Sequence, residues 1–344
     1  MQTTMSSSLI LFTGATGFVG FHTLIEALSK GYNVRAAVRS EDKITSITTA
    51  KTIQPFLSQL SFVVVPDITK DGAFDEAVKG VQYIVHLASP LPKAEISTDW
   101  EQSLVLPAIH GTLSILYSAL KQPTIKRVVI TSSVVAVFPE DWYKTPMTQV
   151  FNANTIRPDT KGPYQDAAIA YSASKKLALN RTLDFIAKET PHFAIINLMP
   201  TFVLGADTHA ETPSEAAGGS NGQLLRRFVQ GTDVDALPAM TVHLDDVAFV
   251  HIAALTQELD GHQNFGLNFN GPSGIVWDDA IDIVKDKFPD SIANGILHTT
   301  GAQPSVKVPF DASETEKVFG FKYKPFEQQV QDAVGRYVEL ASKA

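Results

Sequence analysis

The chain has 344 residues, of which 44% are hydrophobic and 19% charged, and its formal net charge is −8. The length exceeds that of one average domain, and the composition is typical of a globular protein, which excludes long disordered segments. The acidic balance argues against a nucleic-acid or anionic-membrane partner, and the lack of cysteine excludes disulfides, thiolate zinc sites and cysteine catalysis. We predict no metal site.

The amino-terminal segment, Met1 to Ser8, is polar and uncharged and lacks the features of a signal peptide. No apolar run in the sequence approaches the length of a membrane span. We therefore expect a cytoplasmic protein without a membrane partner. We also expect a monomer or a homodimer.

The first predicted strand, Leu9 to Phe12, leads directly into a glycine-rich turn, TGATGFVG at residues 13–20. Apolar residues then recur at helical spacing from Phe18 to Leu28, Gly31 stands where a helix ends, and a second strand runs from Val34 to Val38. Such a unit can hold a dinucleotide, because glycines let the backbone approach a pyrophosphate and the helix start offers free N–H groups. The spacing is G-x-x-G-x-x-G rather than the general G-x-G-x-x-G, so an ordinary turn is the alternative.

A cation follows the second strand at the position that decides between the two nicotinamide cofactors. NAD enzymes carry Asp or Glu there, roughly twenty residues past the loop, where it binds the ribose 2′-hydroxyl. This chain has Arg39 instead, with Lys43 four residues later. Cations favour a 2′-phosphate and hence NADP, and the alternative is a solvated arginine at the end of a strand.

Strands and helices alternate through about the first 200 residues. Further strands are predicted at Phe62 to Val65, Tyr83 to Leu87, Val128 to Thr131 and Phe193 to Leu198, and helices at Asp71 to Val78, Trp100 to Leu120 and Tyr171 to Lys188. This pattern predicts an α/β fold of the Rossmann type, a doubly wound parallel sheet that binds ligands beyond the carboxyl ends of its strands. After Pro200 the alternation ends, and residues 206–222 are predicted to form a long loop.

Two domains follow from this change of pattern. We predict a nucleotide-binding Rossmann domain over residues 1–200, to which residues 241–271 return. Residues 201–240 and 272–344 are predicted to form a smaller, discontinuous substrate-binding domain.

Ser133, Tyr171 and Lys175 form the predicted catalytic set. Reduction of a carbonyl leaves an oxyanion that must take a proton, and a tyrosine can donate it if its pKa falls from about 10 toward neutrality. An ammonium group lowers that pKa, and Lys175, four residues after Tyr171, lies on the same helix face. Ser133 at the end of the fifth strand can stabilise the carbonyl oxygen. The alternative is a partly buried tyrosine beside a solvated lysine.

A second tyrosine and lysine pair has the same spacing. Tyr117 and Lys121 end the helix that precedes the serine's strand, and we interpret them as surface residues.

Together these motifs resemble an extended short-chain dehydrogenase/reductase, and within that family the dihydroflavonol-reductase-like group, which includes yeast and fungal methylglyoxal, aldehyde and ketone reductases. The resemblance extends from residue 9 to about 253. It rests on TGATGFVG at 13–20, HLASP at 86–90, TSS at 131–133, AYSASKK at 170–176 and VHLDDVA at 242–248.

The resemblance implies catalytic roles for Ser133, Tyr171 and Lys175, with NADP as the cofactor. It places the pyrophosphate on the glycine turn, the 2′-phosphate on Arg39 and Lys43, and the nicotinamide on the segment after the sixth strand. The implied cofactor contacts are Gly14, Thr16, Gly17, Phe18, Val19, Arg39, Lys43, Asp67, Ile68, Leu87, Ala88, Ser89, Thr131, Pro200, Thr201, Phe202 and Val203.

Three further residues are interpreted in the light of the same resemblance. The family often has an acidic residue where this chain has Leu179, so an ion pair behind the catalytic set is expected to be missing. His243 and Asp246 are interpreted as a buried pair that braces a loop. The cysteine-containing motif of cinnamoyl-CoA reductases is absent, which favours a free aldehyde or ketone over a CoA thioester.

The sequence therefore predicts an NADPH-dependent carbonyl reductase, an alcohol dehydrogenase or ketoreductase that acts on a small-molecule aldehyde or ketone of hydrophobic or aryl character. Apolar residues are predicted to line the substrate pocket, although each of them could instead belong to the core. They are Phe138, Trp142, Phe202, Leu224, Leu225 and Phe228.

Two alternatives remain from the sequence. An NAD-dependent sugar-nucleotide epimerase or dehydratase shares the fold and the catalytic set, and Arg226 and Arg227 could hold its diphosphate. A non-catalytic NADP-sensing regulator also shares the fold, but such proteins typically lack the tyrosine.

Overall fold

The computed structural model describes residues 8–90, 99–140, 142–143 and 145–343. Residues 1–7, on which the expectation about a signal peptide rests, lie outside the described residues.

The strands alternate with helices in the first 200 residues and become short after them. They are β1 Leu9–Thr13, β2 Asn33–Val38, β3 Leu60–Val64, β4 Tyr83–His86, β5 Arg127–Thr131, β6 Phe151–Asn152, β7 Ala194–Pro200, β8 Phe202–Leu204, β9 Leu237–Pro238, β10 Thr241–His243, β11 Gln263–Leu267, β12 Ser305–Val306 and β13 Phe310–Asp311.

Most of the helices lie in the first and last thirds of the chain. They are α1 Phe18–Ser29, α2 Glu41–Thr48, α3 Leu106–Leu120, α4 Ala167–Glu189, α5 Pro213–Ala216, α6 Asn221–Gln230, α7 Leu244–Ala253, α8 Asp279–Lys287, α9 Pro289–Ala293, α10 Ser313–Phe319 and α11 Phe326–Ala341. A π-helical turn, Glu101–Val105, runs directly into α3.

Seven strands form one sheet in the order β11-β7-β5-β4-β1-β2-β3. β1 pairs in parallel with both β2 and β4, and β5 pairs in parallel with β4 and β7. The chain therefore builds outward from β1 in one direction as far as β3 and then crosses to β4 on the other side. This reversal opens a ligand crevice at the carboxyl ends of β1 and β4, and the predicted fold class is confirmed.

The structure corrects three predicted elements. Residues 71–78 form turns rather than a helix. The long helix that carries Tyr171 begins at Ala167, because the side chain of Asp166 accepts a hydrogen bond from Ile169 N at 2.8 Å and caps the first turn. The predicted loop at 206–222 contains the short helix α5 and the first turn of α6.

The chain divides into two compact units. The first comprises residues up to 140 together with 154–199 and 249–265, and the second comprises 141–153, 200–248 and 266 onwards. These ranges differ from the predicted domains at three places. Residues 141–153 and Pro200 group with the second unit, and the returning segment is 249–265 rather than 241–271.

Each unit has its own core. In the first unit, strand residues such as Leu11, Ile84 and Val128 pack against Phe74 and Phe185, since a parallel sheet covered by helices is apolar on both faces. The core of the second unit packs around the completely buried Trp277, and its members include Leu224, Leu225, Phe228, Val330 and Val334.

Among the described residues, one apolar segment, Glu101–Leu120, is long and apolar enough to span a membrane. This corrects the expectation that no apolar run approaches that length. Half of the segment is buried inside the protein, and α3 packs against α4. A single segment of this kind is weak evidence for a membrane span, because the core helix of a globular protein has the same length and composition.

Candidate active site

The glycine-rich turn between β1 and α1 leaves room for backbone contact with a ligand. Gly14 has φ +80°, and a Cβ added to it would lie 2.8 Å from Ala88 N. A Cβ added to Gly20 would lie 1.9 Å from Gly14 O, whereas one added to Gly17 would make an ordinary contact of 3.5 Å. Glycine is therefore needed at positions 14 and 20 for the turn itself.

The start of α1 carries the electrostatic features of an anion site. Gly17 is the N-cap and supplies no side-chain cap, and the first turn contains no acidic residue. The free N–H groups and the positive end of the helix dipole are thus available to a pyrophosphate. The residues at this turn fit the dinucleotide that the sequence predicts.

A buried hydrogen-bond network joins β1 to the end of β4. Thr13 Oγ1 lies 2.9 Å from His86 Nδ1, and Ala88 N donates a hydrogen bond to Thr13 Oγ1 at 3.1 Å. Leu87 N donates to Thr13 O at 3.3 Å. The predicted ribose segment is therefore held directly beside the glycine turn, and Thr13 is the residue that holds it.

The predicted 2′-phosphate site lies at the end of β2. Arg39 is exposed, and its charge contributes to the lowered pKa of Asp67, whose first cause is a hydrogen bond from the Thr69 hydroxyl. Lys43 Nζ lies 3.5 Å from Asp42 Oδ2. Both cations thus accompany acidic side chains, so their preference for a 2′-phosphate stays a prediction.

The structure brings Ser133, Tyr171 and Lys175 together in the first unit. A side-chain hydrogen bond joins Ser133 to Tyr171, and Ser133 Oγ also accepts a hydrogen bond from Val135 N at 3.4 Å. Lys175 Nζ lies 5.8 Å from the centre of the Tyr171 ring and donates to Ser89 Oγ at 3.0 Å. The three predicted catalytic side chains and one predicted ribose contact therefore form a single cluster.

Burial dominates the electrostatics of this cluster. Part of the Tyr171 side chain is exposed, yet desolvation of its phenol raises the pKa above 10.0, and the hydrogen bond with Ser133 offsets only part of this effect. Burial lowers the pKa of Lys175 to about 8. The pKa of Tyr171 is thus raised rather than lowered in the cofactor-free protein, and stabilisation of its phenolate by Lys175 stays a prediction. A tyrosine that keeps its proton is suited to donate one.

The second unit contains the other predicted cofactor segment. Pro200 ends β7, and Thr201 donates through both its backbone N and its hydroxyl to Leu267 O, at 3.0 and 3.1 Å. Phe202 and Val203 begin β8, and Phe202 keeps part of its surface exposed.

Most of the predicted substrate wall belongs to the core. Leu224, Leu225 and Phe228 are completely buried in the core of the second unit, because they form the inward face of α6. Phe138 is also completely buried, and Trp142 is 7% exposed. We therefore assign the three α6 residues to the core, and of the six predicted wall residues Phe202 alone is more than marginally exposed.

His243 and Asp246 are buried, as the sequence analysis expected, but they do not form a hydrogen-bonded pair. His243 Nε2 lies 2.9 Å from Asp332 Oδ2, and its Nδ1 accepts a hydrogen bond from Asp245 N at 3.0 Å. Asp246 Oδ2 accepts a hydrogen bond from Lys324 N at 2.8 Å.

The second tyrosine and lysine pair lies at the surface. Tyr117 is 39% exposed and packs edge-on against Phe185, and Lys121 forms an ion pair with Asp75 at 2.6 Å.

Two buried histidines at this site were given no role by sequence reasoning. His86 bonds to Thr13, and His251 Nε2 lies 2.7 Å from Thr131 Oγ1. His86 stands in a quoted motif, HLASP, so its signal was present in the sequence. His251 belongs to a helix more than one hundred residues after Thr131, and no local pattern joins the two.

Comparison of the sequence with known proteins identifies the family to which the chain belongs. The sequence matches the model of the NAD-dependent epimerase/dehydratase family over residues 10–267. The chain belongs to this family. The predicted resemblance to extended short-chain dehydrogenases/reductases is thereby confirmed, and the family is NAD(P)-dependent.

Relatives within the family are similar over the whole chain. A ketoreductase of Cercospora nicotianae is 37% identical over 350 residues, which cover 98% of this chain and 97% of the relative. The solved structure of Gre2 from Candida albicans in complex with NADPH has a TM-score of 0.80 at 27% identity and covers 97% of this chain and 99% of its own.

A third relative supports the fold alone. Yeast methylglyoxal/isovaleraldehyde reductase Gre2, complexed with NADPH, has a TM-score of 0.80 at 24% identity and covers 98% of this chain and 100% of its own. The family and its ketoreductase member support an oxidoreductase.

Proposed function

We propose that this protein is an NADPH-dependent carbonyl reductase that converts a small-molecule aldehyde or ketone into an alcohol. The proposal rests mainly on the cluster in which Ser133 is hydrogen-bonded to Tyr171 and Lys175 is hydrogen-bonded to Ser89. The named activities of the relatives support the same reaction.

The residues of the cluster account for the protons and charges of a reduction. NADPH, when bound, supplies a hydride to the carbonyl carbon. Tyr171 donates its phenolic proton to the carbonyl oxygen, so that one hydride and one proton convert the C=O group into CH–OH. Ser133 donates a hydrogen bond to the same oxygen as negative charge develops on it. The Tyr171 phenolate then regains a proton from solvent.

Lys175 supplies the positive charge that this proton transfer needs. Its ammonium group, beside the Tyr171 ring, stabilises the phenolate that remains after donation. Its hydrogen bond to Ser89 holds it at the end of β4, where the ribose is expected. Lys175 would thereby orient the ribose and stabilise the phenolate together.

The choice of NADPH over NADH rests on Arg39 and on the relatives. Arg39 is exposed at the end of β2, where an NAD enzyme would place a carboxylate. The named Gre2 structure contains NADPH. The family description itself covers NAD-dependent members, so cofactor preference must be measured.

The sugar-nucleotide epimerase alternative loses one of its two arginines. Arg227 is completely buried, forms an ion pair with Asp278 and donates to Trp277 O at 3.3 Å, so it offers no free cation to a diphosphate, whereas Arg226 is partly exposed. The non-catalytic regulator is also disfavoured, because the tyrosine is present and bonded to the serine.

A panel of aldehydes and ketones tests the proposal. Purified protein is incubated with each carbonyl and either NADPH or NADH, cofactor oxidation is followed by absorbance, and the product alcohol is resolved on a chiral column. We expect turnover with NADPH and one dominant enantiomer. Tightly retained NAD that does not exchange, together with no turnover of any carbonyl, would favour the epimerase alternative.

A further inference from the structure

A small cavity lies behind the catalytic lysine in the first unit. Its lining includes His86 from β4, Lys175 and Leu179 from α4, Thr131 from β5 and Asn197 from β7. Its volume is about 20 Å³. One water molecule needs roughly 10–15 Å³ of such space and two to four polar partners. The cavity therefore has the size and polarity of a single-water site.

His86 lines this cavity, and its hydrogen-bond partners favour the tautomer in which Nε2 is the donor. Thr13 Oγ1 accepts a hydrogen bond from Ala88 N, so its own hydrogen is available to His86 Nδ1, 2.9 Å away. Burial, aided by the charge of Lys175, lowers the pKa of His86 to about 3, so the ring is neutral. A neutral ring that accepts at Nδ1 carries its hydrogen on Nε2. His86 Nε2 is buried and has no hydrogen-bond partner among the residues that the structure describes.

Lys175 also presents donors and no acceptor. One of its three hydrogens is directed to Ser89 Oγ. Leu179 lines the same cavity, and its side chain has no polar atom. The two donors, His86 Nε2–H and the Lys175 ammonium, cannot bond to each other, so both need a third group that accepts.

We propose that this cavity binds one water molecule that accepts hydrogen bonds from both His86 Nε2 and Lys175 Nζ, and that His86 is thereby a positioning residue for the catalytic lysine. The positioning role rests on the proposed function, whereas the water site does not. The same water would occupy the position of a carboxylate side chain, had residue 179 been acidic.

Among the described residues, few charges face Lys175 from the surrounding elements. Tyr171 lies on its own helix and His86 on β4, and both are neutral in this state. The cavity side chains from α3, from β5 and the residue after it, and from β7 are Thr112, Ile130, Thr131, Ser132 and Asn197, and none of them is titratable. A charge introduced at position 179 would therefore act on Lys175 without a competing carboxylate in the cavity lining.

The water and the tautomer are tested on cofactor-free protein, without any assay of activity. Protein labelled with ¹⁵N-histidine is examined by NMR between pH 5 and 9, with His86→Phe used to assign the signal. We expect His86 to stay neutral with its hydrogen on Nε2. A high-resolution crystal structure should show an ordered water within hydrogen-bond distance of His86 Nε2 and Lys175 Nζ. A hydrogen on Nδ1, or no water there, would overturn the proposal.

The positioning role is tested by the alkaline limb of the pH profile of kcat/KM. Leu179→Glu should move the limb to higher pH by about one unit, because a carboxylate favours the cationic lysine. His86→Phe should move it to lower pH, because the lysine loses its water, and Leu179→Ile is the matched control that should leave it in place. An identical limb in wild type and in His86→Phe would contradict the role. If the protein turns over no carbonyl, the NMR and crystallographic results still decide the water site.

Discussion

At the scale of single residues, burial disfavours the charged form of the catalytic Lys175. Lys175 is held in place through Ser89, the described cavity lining contains no carboxylate to stabilise its cation, and burial lowers its pKa to about 8. Tyr171 shifts in the opposite direction, above 10.0. The two groups therefore share a broad range of pH below 8 in which the tyrosine is protonated and the lysine is charged.

This balance predicts the pH dependence of the reaction. As pH rises through about 8, Lys175 loses the positive charge that stabilises the Tyr171 phenolate, whereas Tyr171 itself stays protonated. We expect kcat/KM for ketone reduction to be level below that pH and to decline above it. Initial rates between pH 6 and 10 at saturating NADPH measure this directly. A profile that stays level to pH 10 would show that the lysine's charge is not needed.

Arg39 gives the second prediction at this scale. Arg39→Ala should raise KM for NADPH tenfold or more and leave NADH use nearly unchanged, because a charge-assisted hydrogen bond contributes about 1.5 to 3 kcal/mol. Lys43→Ala, with its cation 3.5 Å from Asp42, should have a smaller effect. Equal losses with NADPH and NADH would mean that Arg39 is structural.

At the scale of secondary-structure elements, the turn before α1 makes a prediction about stability. Alanine normally stabilises a helix relative to glycine, but a Cβ at position 20 would overlap Gly14 O at 1.9 Å. We expect Gly20→Ala to lower the free energy of unfolding by about 1 to 3 kcal/mol, the usual cost of overpacking. Gly17→Ala, with its Cβ contact at 3.5 Å, should change it by less than about 1 kcal/mol. Urea unfolding of the cofactor-free variants measures both values, and equal stabilities would contradict the geometry of the turn.

Local patterns predicted those parts of the elements that depend on neighbours in sequence. The glycine turn, the strand that precedes it and the shared helix face of Tyr171 and Lys175 all follow from spacing within a few residues. The predicted start of α4, at Tyr171, is too late in the chain. The side chain of Asp166 caps the helix, which therefore begins at Ala167. The predicted helix at 71–78 is wrong. These residues form turns, and apolar side chains such as Phe74 reach the core without a helix.

At the scale of the whole molecule, distant contacts decided what the sequence did not predict. The apolar spacing of Leu224, Leu225 and Phe228 indicates one buried face of α6 but not what covers it, and the structure covers it with the core around Trp277. The pairings of His243 with Asp332 and of Thr131 with His251 join residues that are 89 and 120 positions apart. A cytoplasmic location and a monomeric or dimeric state stay predictions.

This distinction between core and surface gives a matched pair of variants for substrate range. Phe202 is partly exposed, and Phe202→Ala should change the ratio of product enantiomers or the range of ketones more than the affinity for NADPH. Phe228 is completely buried, and Phe228→Ala should instead cost about 3 to 5 kcal/mol of stability. Chiral analysis and urea unfolding separate the two. Wild-type selectivity in Phe202→Ala would remove Phe202 from the substrate site.

Phe202, the one predicted wall residue that keeps part of its surface exposed, also predicts a substrate class. Bulky hydrophobic or aryl ketones should have higher kcat/KM than small charged 2-oxo acids, because an exposed phenyl ring favours apolar groups over a carboxylate. A matched series of ketones that differ in size and charge measures this preference. A marked preference for pyruvate-like acids would show that the pocket is placed wrongly.

The central claim is that Tyr171 donates the proton in a carbonyl reduction, and one substitution tests it most directly. In Tyr171→Phe, kcat for ketone reduction with NADPH should fall by two or more orders of magnitude, the usual span for a positioned acid, while NADPH binding measured by fluorescence titration is retained. Tyr117→Phe, which changes the surface tyrosine of the same spacing, should reduce ketones like wild type. Near-normal turnover by Tyr171→Phe with NADPH bound would contradict the assignment.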